Sequence, residues 1–202
     1  MTNLSFTSIP SASDPYSPLA SGRPCITVDE AEAALVGDPH FATSKTRADI
    51  WTKLLEHLGL FVDLENRFQA ELNGDSLLSH MWLGGSFVSD KLDPRNLDMT
   101  LFVDVEARNK IKGLPGAGTL TKLINMSRSS ALKRYLVSPI FVNYHKVPHL
   151  FDRSQFTTEE ADYFLERGRW DDWWQRVRTG SDRSPTIDSC FPRRGYLEVT
   201  LR

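Results

Sequence analysis

The sequence predicts an α/β fold, because short strand-like apolar runs alternate with longer stretches of helical periodicity along its 202 residues. The strand-like runs span roughly 79–83, 97–103, 140–147 and 196–201. A hydrophobic content of 40% in a chain of this length is enough for one domain with a sizeable core. We therefore expect residues 24–202 to form a single domain, and residues 1–23, which are rich in Ser and Pro, to be flexible.

Residues 27–68 carry the signals of two helices. Thr27 and Glu30 have the spacing of a capping box, which predicts a short helix ending near Gly37. Apolar residues then recur at helical spacing over residues 44–68, and Gly59 suggests a break within that helix. This apolar stripe is expected to cover the sheet.

Two further helices are predicted after the second strand. Residues 119–136 have the pattern of a crossover helix, and the glycine-rich piece before it, 113–118, has the composition of a loop. Thr157 and Glu160 form another capping box, which predicts a helix that ends near Gly180. A polar loop is expected between that helix and the last strand.

Composition excludes several classes of function. A net charge of −2 gives no global attraction to nucleic acid or to an anionic membrane. The two cysteines, Cys25 and Cys190, lack metal-ligand spacing and cannot form a disulfide framework, which favours a reducing cytoplasm. Because no apolar stretch approaches the length of a membrane span and no signal peptide is recognisable, we expect a cytoplasmic protein without a membrane partner.

The segment from Trp82 to Asp104 carries the strongest functional signal. An apolar strand ends at Leu83, Gly84 and Gly85 form a tight turn, and Ser86 begins a short helix. Backbone N–H groups at a helix start attract phosphate. Asn96 and Asp98, at the start of the next strand, share one face because side chains alternate along a strand.

This arrangement resembles the DNA polymerase β-type nucleotidyltransferase superfamily, whose signature is a Gly-Ser pair followed, after a loop, by Asp-x-Asp opening a strand. The matching residues are Gly85-Ser86 and Asn96-Leu97-Asp98, and the string GGSFVSDK is similar to a small bacterial branch of the superfamily. The resemblance covers most of residues 24–202. It implies a mixed sheet of about four to five strands with helices packed mainly on one side.

The resemblance also implies roles for individual residues. Asp98 and Ser86 would be catalytic, and Gly84, Gly85 and Ser86 would bind a nucleotide. Lys91 is either a phosphate ligand or a solvated loop residue.

Metal ligation is where the chain departs from the superfamily pattern. Active members hold Mg²⁺ or Mn²⁺ with both residues of Asp-x-Asp and a third carboxylate on a later strand. Here the first position is Asn96, and the inward candidate for the third is Asn143, with Glu198 in reserve. We therefore expect metal binding through Asp98, Asn96 and Asn143 to be weak.

Three hypotheses for the function follow. The first is a degenerate module that binds a nucleotide or a protein partner in a bacterial defence or toxin–antitoxin setting. The second is an active nucleotidyltransferase that moves a nucleoside monophosphate from a nucleoside triphosphate to a protein, RNA or small molecule.

The third is a scaffold that binds RNA or protein through an arginine- and tryptophan-rich region. That region comprises Arg167, Arg169, Arg176, Arg178, Arg193 and Arg194 with Trp170, Trp173 and Trp174. Its alternative explanation is tryptophans packed in the core with arginines extending outward.

Overall fold

A mixed β-sheet organises the chain. The computed structural model describes residues 23–176, 185–190 and 194–201, and the statements below concern those residues. They contain a five-stranded sheet in the order β1-β5-β2-β3-β4. The strands are β1 (Cys25–Thr27), β2 (Leu78–Gly84), β3 (Leu97–Asp104), β4 (Val137–Tyr144) and β5 (Leu197–Thr200). The outer pairs β1–β5 and β3–β4 are parallel, whereas β2 is antiparallel to both of its neighbours. This confirms the predicted α/β fold with a mixed sheet.

Seven α-helices connect the strands within the described residues. They are α1 (Val28–Leu35), α2 (Arg47–Arg67), α3 (Gln69–Leu72), α4 (Val105–Ile111), α5 (Gly118–Ile124), α6 (Arg128–Tyr135) and α7 (Thr158–Trp174). Both predicted capping boxes are present at the starts of α1 and α7. In α7, for example, the Thr157 backbone N–H donates to Glu160 Oε2 at 2.9 Å, and the Glu160 N–H donates to Thr157 Oγ1 at 3.2 Å. These reciprocal bonds satisfy donors that a helix start otherwise leaves unpaired.

The two faces of the sheet are covered differently. Residues of α1 to α6 pack on one face in a large aliphatic core that includes Met81, Leu83, Met99 and Leu101 from the central strands. The opposite face is covered by α7 and forms a smaller, mainly aromatic cluster, which comprises Trp82, Phe102, Val142, Tyr163, Trp174 and Tyr196. Because side chains alternate along a strand, the odd-numbered residues of 81–84 in β2 and of β3 face the large core, and the even-numbered ones face α7. Leu78 also faces the large core, because the register of β2 shifts between Leu78 and Met81.

Several element boundaries differ from the sequence prediction. Helix α2 is continuous through Gly59, so the expected break is wrong. The expected crossover helix is divided into α5 and α6, because Ser127 caps a new helix by accepting a bond from the Ser130 N–H at 3.2 Å. The third predicted strand begins earlier, at Val137.

Three short elements and the segments outside the described residues supply the remaining differences. Strand β1 and helices α3 and α4 were not predicted. The predicted flexible segment falls outside the described residues, apart from Arg23, and so does the expected helix stop at Gly180. In the described part of the chain, no helix has the length and apolar content needed to cross a membrane.

Candidate functional site

The glycine turn and Asp98 lie together at one end of the sheet. Strands β2 and β3 are antiparallel, with Gly84 directly opposite Asp98. Gly85 has φ +69°, and a Cβ atom built there would lie 2.4 Å from Asp98 Oδ2. Only glycine permits both this backbone conformation and this close approach. The structure therefore places the glycine turn beside the Asp98 carboxylate, at the end of β2 and the start of β3.

Ser86 lies in a single 3₁₀ turn that spans Gly85–Val88. It is half-buried, and its carbonyl oxygen accepts a bond from the Ser89 hydroxyl at 2.6 Å. A helix of one turn contributes little dipole, because the effect depends on aligned peptide groups over several turns. Any attraction for phosphate at this turn must therefore come mainly from charged side chains nearby.

Asp98 is bordered by an amide, a hydroxyl and an arginine. The Asn96 side chain donates to Asp98 Oδ1 at 3.1 Å, and Arg128 Nη2 lies 3.8 Å from the same oxygen. On β4, the residue opposite Asp98 is Ser138, whose hydroxyl accepts from Arg128 Nε at 2.7 Å. The structure thus places a serine, not a carboxylate, beside Asp98 on the neighbouring strand.

Arg194 adds a second guanidinium group at the turn. Its Nη2 donates to the Gly85 carbonyl at 2.8 Å. Burial lowers the pKa of Arg194, and the negative charge of Asp98 partly opposes that effect. Arg194 Nε is buried and has no hydrogen-bond partner among the described residues. Sequence reasoning assigned Arg194 to the arginine- and tryptophan-rich region and did not connect it with the turn.

The residues around Asp98 do not fit a two-metal centre. Hard divalent cations are held by carboxylate and carbonyl oxygens, and two-metal catalysis needs several negative ligands. Here Asn96 presents N–H groups to Asp98, and Arg128 and Arg194 supply positive charge. Within the described residues, no cluster of three or more His, Cys, Asp or Glu side chains could hold a metal ion.

Asn143 does not lie near Asp98. In the parallel register it pairs with Val103, five positions beyond the Asp98–Ser138 pair, which corresponds to about 16 Å along the strand. This odd offset also puts Asn143 on the opposite face of the sheet. The Asn143 side chain is exposed and accepts a bond from Arg108 Nη1 at 3.0 Å. The expectation that Asn143 points inward beside Asp98 is therefore corrected.

Lys91 and Glu198 have other roles in the structure. Lys91 is exposed, and its backbone carbonyl accepts a bond from Arg47 Nη2 at 2.7 Å. Glu198 shares the α7 face of the sheet, but its carboxylate accepts from Trp82 Nε1 at 2.9 Å and pairs with Arg23 Nε at 2.9 Å. Glu198 is therefore already engaged in structural contacts.

Arg47 holds the loop that follows the turn. Its side chain is 1% exposed, and burial lowers its pKa to about 10. The guanidinium donates, over 2.7–2.9 Å, to four backbone carbonyl groups, those of Leu35, Phe87, Ser89 and Lys91. Sequence reasoning missed this residue. The available signal was its spacing, since Arg47 lies three residues before Ile50 and so continues the buried stripe of α2.

Trp174 covers the turn from the α7 side. A Cβ atom on Gly84 would lie 2.2 Å from Trp174 Cε3, so the indole ring packs directly on the glycine. The buried Trp174 Nε1 donates to Thr100 Oγ1 at 2.9 Å. Trp174, a member of the arginine- and tryptophan-rich region, is thus a core residue. This agrees with the alternative explanation that the tryptophans pack in the core.

The four arginines of that region that the structure describes have different surroundings. Arg169 pairs with Glu166, and Arg176 pairs with Asp172. Arg167 faces a separate cleft. Arg178 and Arg193 lie outside the described residues.

Comparison with known proteins places the chain in a family without assigning it an activity. A model of the family described as "Family of unknown function (DUF6932)" matches residues 14–200, so the chain belongs to that family. A search of curated proteins and a search of solved structures each gave no match.

Proposed function

We propose that this member of DUF6932 is a nucleotidyltransferase-like module that binds a nucleoside triphosphate at the glycine turn without efficient two-metal transfer. One observation carries the proposal. Among the described residues, the carboxylate of Asp98 at the turn is bordered by Asn96, Arg128 and Arg194, where metal-dependent transfer would need further carboxylates. The resemblance to the nucleotidyltransferase superfamily supplies the class of ligand.

The charge balance of the site favours an anion. Asp98 contributes one negative charge, and Arg128 and Arg194 contribute two positive charges. Guanidinium groups bind phosphate oxygens through paired, charge-assisted hydrogen bonds. Arg128 is the better ligand, because its side chain is 65% exposed and its contact with Asp98 is long, at 3.8 Å. In this proposal, arginine provides the positive charge that metal ions provide in active enzymes.

The biological setting is also a proposal. The resemblance suggests bacterial defence or a toxin–antitoxin pair, in which a bound nucleotide would control a protein partner. A cytoplasmic location is supported by the two free cysteines, Cys25 and Cys190, both of which are exposed. Exposed thiols are typical of a reducing compartment.

Binding of each of the four nucleoside triphosphates should be measured by calorimetry, with Mg²⁺ and then with EDTA. We expect at least one triphosphate to bind with an affinity that EDTA changes by less than about threefold, since arginine supplies the charge. Arg128→Gln should weaken binding by about tenfold or more, which corresponds to the loss of one charged hydrogen bond. Lys133→Gln is the matched control, because it removes the same charge from an exposed position of α6.

Two outcomes would contradict the proposal. Binding that requires Mg²⁺ would indicate a functional metal site, and binding that is unaffected by Arg128→Gln would put the phosphates elsewhere. The active-enzyme alternative is tested with labelled triphosphate and a cell lysate. Transfer of label that is abolished by Asp98→Asn, with thermal melting unchanged, would support catalysis instead.

A further inference from the structure

A second cleft lies on the α7 face of the sheet, away from the glycine turn. Its volume is about 550 Å³, and its lining includes Arg23, His80, Tyr144, Tyr163, Phe164 and Arg167. His80 precedes Gly84 by four residues on β2, so the two positions are about 13 Å apart along the strand. Between them lie the packed side chains of Trp82, Phe102 and Trp174. The cleft is therefore separate from the turn and is independent of the function proposed above.

The walls of the cleft are aromatic rings held by contacts with one another. Tyr144 and Tyr163 pack edge to face, with ring centroids 5.8 Å apart. His80 meets Tyr144 edge to face at 5.7 Å and stacks on Phe102 at 4.1 Å. Burial lowers the pKa of His80 to about 4, so the imidazole is neutral near pH 7. Its Nδ1 lies 3.0 Å from Ser79 Oγ, which leaves Nε2 as the ring nitrogen for a ligand. These contacts fix flat surfaces that suit a planar ring.

Most charged groups of the cleft already have partners. Arg23 pairs with Glu198 at 2.9 Å. Lys146 pairs with Asp104 at 2.9 Å and with Glu106 at 3.0 Å, and the hydrogen bonds to both carboxylates raise the Lys146 pKa. These charged side chains therefore stabilise the walls of the cleft and are less available to bind a ligand.

Arg167 is the exception. It lies close enough to His80 and Tyr163 that its positive charge acts to lower the pKa of both groups. Within the described residues, the structure gives it no hydrogen bond and no ion pair with a carboxylate. Its side chain is half-buried among the aromatic walls. A half-buried guanidinium without a counter-ion attracts an anion more strongly than a fully solvated one does.

We propose that this cleft binds a small molecule that combines a flat ring with one anionic group, of the nucleoside monophosphate class. The ring lies against Tyr144, Tyr163 and Phe164, and the phosphate contacts Arg167. A volume of about 550 Å³ falls within the usual range for small-molecule sites. The Nε2 atom of His80 supplies a hydrogen-bonding group for the edge of a base.

Calorimetry on the full chain should compare adenosine and uridine monophosphates with adenosine, inorganic phosphate and benzoate. We expect saturable binding of at least one monophosphate, and binding of adenosine and of phosphate weaker by about tenfold or more. Arg167→Gln should weaken monophosphate binding by a similar factor. The matched control is Arg169→Gln. Arg169 is an exposed arginine on the same helix, and it is paired with Glu166. Arg169→Gln should change the affinity by less than about twofold.

Two further measurements separate this site from the glycine turn. Arg167→Gln should leave triphosphate binding at the glycine turn unchanged, because Arg167 lines only the cleft, so failure of one proposal does not imply failure of the other. In NMR spectra, the imidazole signals of His80 should shift on binding in the wild type. The proposal is overturned if no monophosphate binds at concentrations up to about 10 mM, or if Arg167→Gln leaves the affinity intact. It is equally overturned if benzoate or phosphate alone binds as tightly as the monophosphate.

Discussion

Gly85 is the residue on which the geometry of the turn depends. Its φ of +69° is unfavourable for other residues, and an added Cβ would lie 2.4 Å from Asp98 Oδ2. We predict that Gly85→Ala lowers the free energy of unfolding by roughly 1–3 kcal/mol, because it adds backbone strain and displaces the carboxylate. Chemical denaturation measures this change. The control Gly59→Ala lies in α2, where a Cβ has no neighbour within 4 Å, and it should be neutral or stabilising by up to about 1 kcal/mol. Equal effects of the two substitutions would contradict the assignment of strain to Gly85.

The contacts at Asp98 show which residues a sequence can place. The turn and Asp98 could be predicted together, since they belong to two successive strands joined by one connection. Arg194 could not, because it is 109 residues from the carbonyl that it binds. Asn143 was misplaced because the prediction started the strand at residue 140, whereas the register is set by pairing from Val137 onward. Strand register depends on tertiary packing, which local composition does not specify.

At the scale of elements, α7 is attached to the sheet near both of its ends, by Tyr163 and by Trp174. Trp174 is 6% exposed and donates to the buried Thr100 hydroxyl. We predict that Trp174→Phe lowers the free energy of unfolding by about 1–2 kcal/mol, since it leaves a buried hydroxyl without its partner and removes part of a large ring.

A matched change on the same helix tests that interpretation. Trp170 is half-buried, and its Nε1 donates at 3.2 Å to the partly exposed Glu166. Trp170→Phe should therefore cost less, within about 0.5 kcal/mol. Thermal and urea unfolding of both variants provide the comparison. A larger loss for Trp170→Phe would mean that α7 is held at a different point.

Elements with local signals were predicted better than elements without them. The capping boxes of α1 and α7 are each formed by two residues three positions apart, so they can be recognised in the sequence. Strand β1 has three residues and pairs with β5, which lies at the other end of the chain, so no local pattern marks it. The division between α5 and α6 depends on the Ser127 cap, which an uninterrupted apolar pattern conceals. Propensity and periodicity identify elements, and tertiary contacts fix their ends.

At the scale of the whole molecule, the two sheet faces have different tasks. One face packs against six helices and supplies most of the aliphatic core. The other face is covered by α7, with the glycine turn at one end and the aromatic cleft at the other. Burial of each large apolar side chain on the first face contributes about 1.5–3 kcal/mol to the stability of the fold. This stabilisation offsets the cost of burying polar groups on the second face. Both proposed sites therefore lie on the α7 face of the sheet, opposite the main core.

The same core contains a histidine that makes global stability depend on pH. His57 in α2 is fully buried, its ring lies against Phe61 and Tyr135, and neither ring nitrogen has a hydrogen-bond partner among the described residues. Burial lowers its pKa to about 4, whereas a histidine in the unfolded chain titrates near 6.5. Between these values the unfolded chain binds a proton that the folded protein does not. Stability therefore falls as the pH falls from about 6.5 to about 4, by up to roughly 3 kcal/mol from this residue.

Replacing the imidazole should remove this contribution. We predict that His57→Leu, which keeps an apolar side chain in the site, makes the free energy of unfolding less dependent on pH between about 6.5 and 4. Urea unfolding at several pH values measures the difference between the variant and the wild type. As the pH decreases, the free energy of unfolding of the variant should rise relative to that of the wild type, whatever the difference at pH 7. The reason is that only the wild type must keep a buried imidazole neutral. Parallel curves over the whole range would show that the folded protein accepts a proton on His57 at no extra cost, and the burial argument would then be wrong.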